Sequence, residues 1–258
     1  SDKYLLVRLN QVIQSVREAY DRYNFMEVYR TIFNFLTNDM SAFYLDFAKD
    51  IVYIETANST DRRRMQTVMY EILVKLTKLL VPIVPHTSEE IWTYLEQEEE
   101  AYAYLTEMPS ADVIPDAAEI LDFWSAFLEF RTGVHKALEM ARDEKVIGKS
   151  LEASVMVYPD EAVKVLLASV AETEDVATLL IVSELIVSDQ AAPEDAVKVG
   201  DTAITVNHAV GGVCQRCRRI DESVGTNANA HLVELCEHCA SIVTLEFPEA
   251  AAEGFESK

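Results

Sequence analysis

Glycine and proline are scarce, seven of each in 258 residues. That is too little punctuation for a chain of short strands and tight turns, so a mostly helical protein is expected. Cations are also in short supply: 22 Lys and Arg against 44 Asp and Glu leave a formal charge of −22. A field of that sign repels a polyanion. It excludes non-specific nucleic-acid binding and confines any RNA contact to places where cations gather. No apolar run approaches the ~20 residues that cross a bilayer, so no membrane partner is expected. Nothing near the first residues has the pattern of a secretory leader, which points to the cytoplasm. The chain opens on Ser1-Asp2 with no initiator Met, as a fragment or a processed product would.

Cysteine is rarer still, with four residues. They form Cys214-Gln215-Arg216-Cys217 and, after eighteen intervening residues, Cys236-Glu237-His238-Cys239. Two C-x-x-C knuckles with no cysteine left over are a strong signal for a closed tetrahedral zinc site. Disulfides are the alternative, but a chain this long with no secretory leader does not need such staples. One structural Zn²⁺ is therefore expected on Cys214, Cys217, Cys236 and Cys239. Four sulfurs leave no open position for substrate, so the metal organises a fold. Zinc half-neutralises four thiolates, adding about −2 to the charge.

The expected fold is mainly α: an antiparallel helix bundle, then a small α/β domain and a four-cysteine zinc module. Half the residues are hydrophobic, enough for one large core or two smaller ones. Leu5, Leu9, Val12 and Val16 form one stripe of a helix over 2–23. Asn24 with Glu27 reads as a capping pair for a second helix, with the stripe Phe25, Val28, Ile32, Phe35 and Leu36 continuing to Phe43 and Phe47. A third helix carries Met65, Val68, Met69, Ile72, Leu76, Leu79 and Leu80, and Pro82 and Pro85 end it. Thr87 with Glu90 reads as a second capping pair, opening a short helix through Ile91 and Leu95. Residues 96–118 read as a loop whose acidic run (Glu96, Glu98, Glu99, Glu100) is a solvated face. A fifth helix carries Ile120, Phe123, Phe127, Phe130, Val134, Ala137 and Leu138. Beyond Gly148 the pattern turns β-rich over Leu151–Tyr158. A helix over Asp160–Ala171, a second helical turn, a strand over Ile181–Ser188 and strands within 196–210 follow.

Some motifs mislead. Gly148-Lys149-Ser150 ends like a phosphate-binding loop, but position 143 is Asp where that loop needs glycine, and the segment follows a helix. His86 is read as helix capping. His231 and His238 lie in the cysteine segment, but four sulfurs already complete a shell. Arg62-Arg63-Arg64 is either the solvated start of a helix or an RNA contact. These charges oppose the helix dipole, so stability does not account for them. No Ser-His-Asp set, carboxylate pair or open metal site can be assembled.

Ser41–Asp46, Gln66–Leu73, Pro82–Trp92 and Ile147–Ala153, in that order and followed by the two knuckles, resemble the C-terminal part of the bacterial-type isoleucyl-tRNA synthetase family. The bundle alone would suit the valyl, leucyl and methionyl relatives too; Ile147–Ala153 and the terminal knuckles single out isoleucine. The resemblance implies an anticodon-binding bundle (1–145), a small α/β junction domain (146–210), a zinc module built on the four cysteines (211–247) and a tail (248–258). It implies a monomer whose partner is isoleucine tRNA, held through its anticodon arm. The family's HIGH-type and KMSKS-type catalytic signatures and its editing domain are not in these residues. The chain is thus expected to bind tRNA without charging it, as part of a ligase that uses ATP. Candidate contacts are Arg62, Arg63 and Arg64, Lys145 with Lys149, and Arg216, Arg218 and Arg219. Arg218 stands where the family commonly has Trp, and a guanidinium also stacks on a base. Two other readings stand beside this one: a valyl- or leucyl-type anticodon domain, although no heptads follow Cys239, and a non-enzymatic zinc module that binds a protein.

Overall fold

The computed structural model describes residues 1–95 and 100–254. Most of the acidic run (Glu96, Glu98, Glu99) and residues 255–258 of the tail lie outside the described residues. The chain divides into two compact units, residues 1–48 with 58–122, and residues 49–57 with 123–258.

The first unit is an antiparallel helix bundle. Helix α1 (Asp2–Asp21) buries Leu5, Leu9, Val12 and Val16, the stripe that its apolar spacing predicts. Three residues turn the chain into α2 (Phe25–Asn34), and Asn24 caps it by accepting a hydrogen bond from the Glu27 amide. The chain then widens into a π-helical stretch, Phe35–Tyr44, before resuming as α3 (Leu45–Ile54). Hydrogen bonding from i to i+5 brings residues five apart into line. Phe35 and Met40, and Asp39 and Tyr44, are all buried. Tyr4 and Arg8 satisfy the buried Asp39 carboxylate at 2.9 and 3.0 Å.

Ser59 caps α4 (Thr60–Leu80), which buries Met65, Val68, Ile72, Leu76 and Leu79. The capping pair read at Thr87 and Glu90 does not form. Helix α5 (Pro85–Trp92) starts three residues earlier, with Val84 at the cap position, Pro85 in its first turn and no side-chain cap, so His86 does not cap it either. Proline at a first helical position gives up no hydrogen bond and arrives with its φ already set. The loop that follows is tied down. Asn10 and Asp112 exchange two hydrogen bonds, Lys75 pairs with Asp112 at 2.5 Å, and Arg17 donates to the carbonyls of Met108 and Pro109.

Helix α6 (Ala117–Asp143) enters the second unit at Phe123 and buries Trp124, Phe127, Phe130, Val134, Ala137 and Leu138 there. A four-stranded sheet follows, in the order β2-β1-β4-β3. Strand β1 (Ala153–Tyr158) runs parallel to β2 (Glu184–Val187) and antiparallel to β4 (Thr202–His208), which pairs with β3 (Val197–Val199). Ala153, Val155 and Val157 are fully buried, alternating along β1 as a strand covered on one face requires. Helices α7 (Glu161–Ala171, capped by Asp160) and α8 (Val176–Leu180) supply the crossover that a parallel pair needs. Strand β2 is shorter than its apolar run because Ile181 sits at φ 58, closing α8 in the left-handed region.

Candidate metal centre and nucleic-acid interface

The two knuckles are presented differently. Cys214 and Cys217 lie on the turn between β5 (Gly212–Val213) and β6 (Ile220–Asp221), which pair antiparallel. The turn closes with Cys214 N donating to Arg219 O and Arg218 N to Cys214 O, both at 2.9 Å, and Arg218 takes φ 68. At Gly211 (φ 123) a Cβ would come within 2.6 Å of the Glu222 nitrogen. Only glycine lets the hairpin close there. Cys236 and Cys239 open α9 (Glu237–Glu246), Cys236 as its N-cap residue. A helix start offers free amides and a partial positive charge, which favour thiolates.

All four sulfurs lie within 4.8 Å of one another, Cys217 Sγ stands 3.8 Å from Cys236 Sγ, and no pair is bonded. A tetrahedral ion with metal–sulfur bonds of about 2.3 Å needs sulfurs about 3.8 Å apart, so the donor set and spacing fit a zinc-type site. Cys214, Cys236 and Cys239 are buried, and Leu232, Leu235, Val243 and Ala251 pack around them. Ala251 belongs to α10 (Pro248–Glu253), so the first part of the tail closes this core. Hydrogen bonds from Cys217, then Cys236 and Cys239, hold the Cys214 thiol well below its ordinary range. The thiolate so formed pushes Cys239 up. Cys236 is also lowered, to about 7, while Cys217 is pushed up. Two thiols thus ionise more readily than the other two, and a bound dication would favour the thiolate at all four. Neither histidine joins the sulfurs; His238 Nε2 lies 2.8 Å from Glu55 Oε1 instead.

The candidate RNA-binding cations have diverse surroundings. In the first unit, Arg64 pairs with Asp2 at 2.8 Å and also reaches Asp61, while Arg63 is exposed and donates to Asn58. Arg62 is half-buried. In the second unit Lys145 and Lys149 are exposed. Glu152 accepts from the Gly148 and Lys149 amides, at 2.6 and 3.2 Å, and these hydrogen bonds lower its pKa. The amides that would cradle a phosphate are therefore occupied. Arg216 reaches the Ile54 carbonyl at 2.6 Å and Cys239 Sγ at 3.7 Å. Arg219 pairs with Asp175 at 3.2 Å and bonds the Thr178 hydroxyl. Arg218 is the exposed member of the three, contacting Gln215 at 2.9 Å.

Residues 2–157 match the model of the anticodon-binding domain of tRNA ligases. The chain belongs to that family. Over 258 residues it is 59% identical to an isoleucine–tRNA ligase of Lactococcus lactis subsp. lactis, covering 99% of this chain and 28% of that ligase. It is 56% identical to the isoleucine–tRNA ligase of Streptococcus sanguinis and 55% to that of Streptococcus mutans, covering 99% and 100% of the chain and 27% of each ligase. This chain aligns with little more than a quarter of the relatives' length. Among the described residues no helix is long and apolar enough to cross a membrane.

Two features escaped the sequence. Phe25 and Leu36, assigned to the buried stripe of α2, are exposed, and so are Met26, Tyr29 and Phe33. The available signal was the width of the apolar arc of α2, Phe25, Met26, Val28, Tyr29, Ile32 and Phe33 against a polar side of Glu27, Arg30, Thr31 and Asn34, which is wider than the stripe that Val28 and Ile32 bury. The anchoring role of Arg216 left no local trace, because its partner is 162 residues away.

Proposed function

We propose that this chain is the tRNA-binding C-terminal part of an isoleucine–tRNA ligase, which joins isoleucine to its tRNA using ATP. The observation that carries the reading is 59% identity to such a ligase over 99% of the chain, a span that takes in bundle, sheet and cysteine module. Residues 1–145 serve as the anticodon-binding part, 146–210 as a junction, 211–247 as the zinc module and 248–258 as a tail. One Zn²⁺ on Cys214, Cys217, Cys236 and Cys239 stabilises the module and takes no part in catalysis. The chain works in the cytoplasm as part of a monomeric enzyme and does not charge tRNA by itself.

Binding draws on local cations against an acidic background. Exposed Arg63, Lys145 and Lys149 suit phosphates, with Arg62 and Arg64 beside them. Exposed Arg218 suits an unstacked loop base. Arg216 and Arg219 shape the knuckle that presents Arg218. The test is binding of isoleucine tRNA and of the same tRNA with a changed anticodon, across a salt series. Salt-sensitive binding that prefers the native anticodon supports the reading. No binding to either tRNA by the zinc-loaded full ligase overturns it.

A further inference from the structure

Helix α2 carries an aromatic face that no described residue of its own unit covers. Tyr23 is 81% exposed, Met26 and Tyr29 are 59%, Phe25 and Phe33 are 50% and Leu36 is 40%. They are contiguous: residues 25, 29 and 33 and residues 29, 33 and 36 recur at helical spacing. Tyr29 and Phe33 stack at 5.5 Å and 27°, and Tyr23 meets Phe25 edge to face at 6.5 Å. Single exposed apolar residues are ordinary, but a contiguous patch of six marks a surface that is covered in use.

We infer that the outer face of α2 is a protein interface, and that its occupant is the portion of the ligase polypeptide lying outside this chain. This rests on the reading that the chain is part of such a ligase. Four observations favour that occupant. The relatives extend far beyond the aligned segment, which is 28% of the Lactococcus ligase, so most of the polypeptide is outside the chain. The patch is Tyr, Phe and Met with Arg30 at its edge, the composition enriched at protein interface cores. A phosphate backbone finds little charge there, since Arg22 is already paired with Glu27 at 3.2 Å and Arg30 is the one cation on α2. A second copy is disfavoured by the self-repulsion of a chain carrying −22.

Hydroxyl-radical footprinting tests this on Met26, Tyr29 and Phe33, with the buried Tyr44 as a slow reference. The full-length ligase is compared with this chain alone, with this chain at tenfold higher concentration, and with this chain plus isoleucine tRNA transcript. The expected result is labelling at least fivefold slower in the full ligase without tRNA, and unchanged in the other three samples. In parallel, Tyr29→Asp with Phe33→Asp should lower the Tm of the full ligase by several degrees and leave that of this chain within about one degree. Equal labelling in ligase and chain overturns the inference. Slowing of the chain by tRNA makes α2 an RNA surface, and slowing with concentration makes it a self-association surface; either outcome also overturns it. Binding of tRNA by the same full ligase is measured separately, so a failed footprint and a failed tRNA reading are told apart.

Discussion

Arg216 Nη2 donates to the Ile54 carbonyl at 2.6 Å, while Nη1 points at Cys239 Sγ from 3.7 Å. One guanidinium thereby ties the first knuckle to the end of α3 and supplies positive charge to the sulfur cluster. Ile54 itself packs against the apolar shell of the cysteines. The residue between the two cysteines of a knuckle thus serves the fold before it can serve any ligand.

Replacing Arg216 by Ala leaves a carbonyl at the end of α3 short of its charged donor. The expected loss is about 1–2 kcal/mol, discounted for partial exposure. Hydrogen exchange should show faster opening of residues 51–55 and of the knuckle. Unchanged protection at both places would mean that the contact carries no stability.

Gly133 lies inside α6, where Ala would ordinarily be favoured by about 1 kcal/mol. A Cβ there would overlap Val199 Cγ1 and stand 2.8 Å from Cγ2. Gly133→Ala should therefore destabilise by about 1–3 kcal/mol, as overpacking does, and Val199→Ala should restore much of the loss. Additive effects in denaturant unfolding of the double variant would contradict the close approach.

Asp175 links α8 to the knuckle through Arg219. Burial raises its pKa, but hydrogen bonds from Thr178 and Arg219 and the Arg219 charge outweigh that, so the net shift is downward. A carboxylate depressed in the folded state contributes stability above the unfolded value of about 3.9, and loses it as pH falls through the folded value. Asp175→Asn should remove that part of the acid limb of a stability–pH curve and leave the neutral slope unchanged. An acid limb that persists in full would assign it to other carboxylates.

Metal removal distinguishes the cysteine module from the helix bundle. Purified chain should carry about one zinc. Binding energy in such modules is largely folding energy, so a chelator should expose residues 211–254 to exchange and leave α1, α2 and α4 protected. Unchanged exchange in 211–254 after complete metal loss would show that the apolar shell suffices alone.

What could be read from the sequence followed from local rules. Leu5, Leu9, Val12 and Val16 became buried because helical periodicity is a statement about one face. Asn24 became a cap because its side chain needs only an amide three residues on. The four cysteines met because two knuckles with no remainder admit few arrangements. The start of α5 went to Pro85 over Thr87 because a proline fixed in φ outcompetes a side-chain cap. The π-helical turn at Phe35–Tyr44 shows no such signature, since its apolar residues fit an ordinary helix equally well. The ends of Arg216 and Arg219 were hidden for another reason: partners 162 and 44 residues distant are chosen by the fold. Arg63, Lys145, Lys149 and Arg218, which local charge does reveal, are the candidate cations that stay exposed.

The proposed function has this chain grip the anticodon arm of isoleucine tRNA. Nuclease footprinting of that tRNA with the zinc-loaded chain tests it most directly. Protection confined to the anticodon loop and stem is predicted. Arg218→Ala should reopen loop positions, and Arg63→Ala should weaken protection evenly along the backbone. Protection centred on the acceptor end, or none at concentrations that saturate binding, would contradict the account.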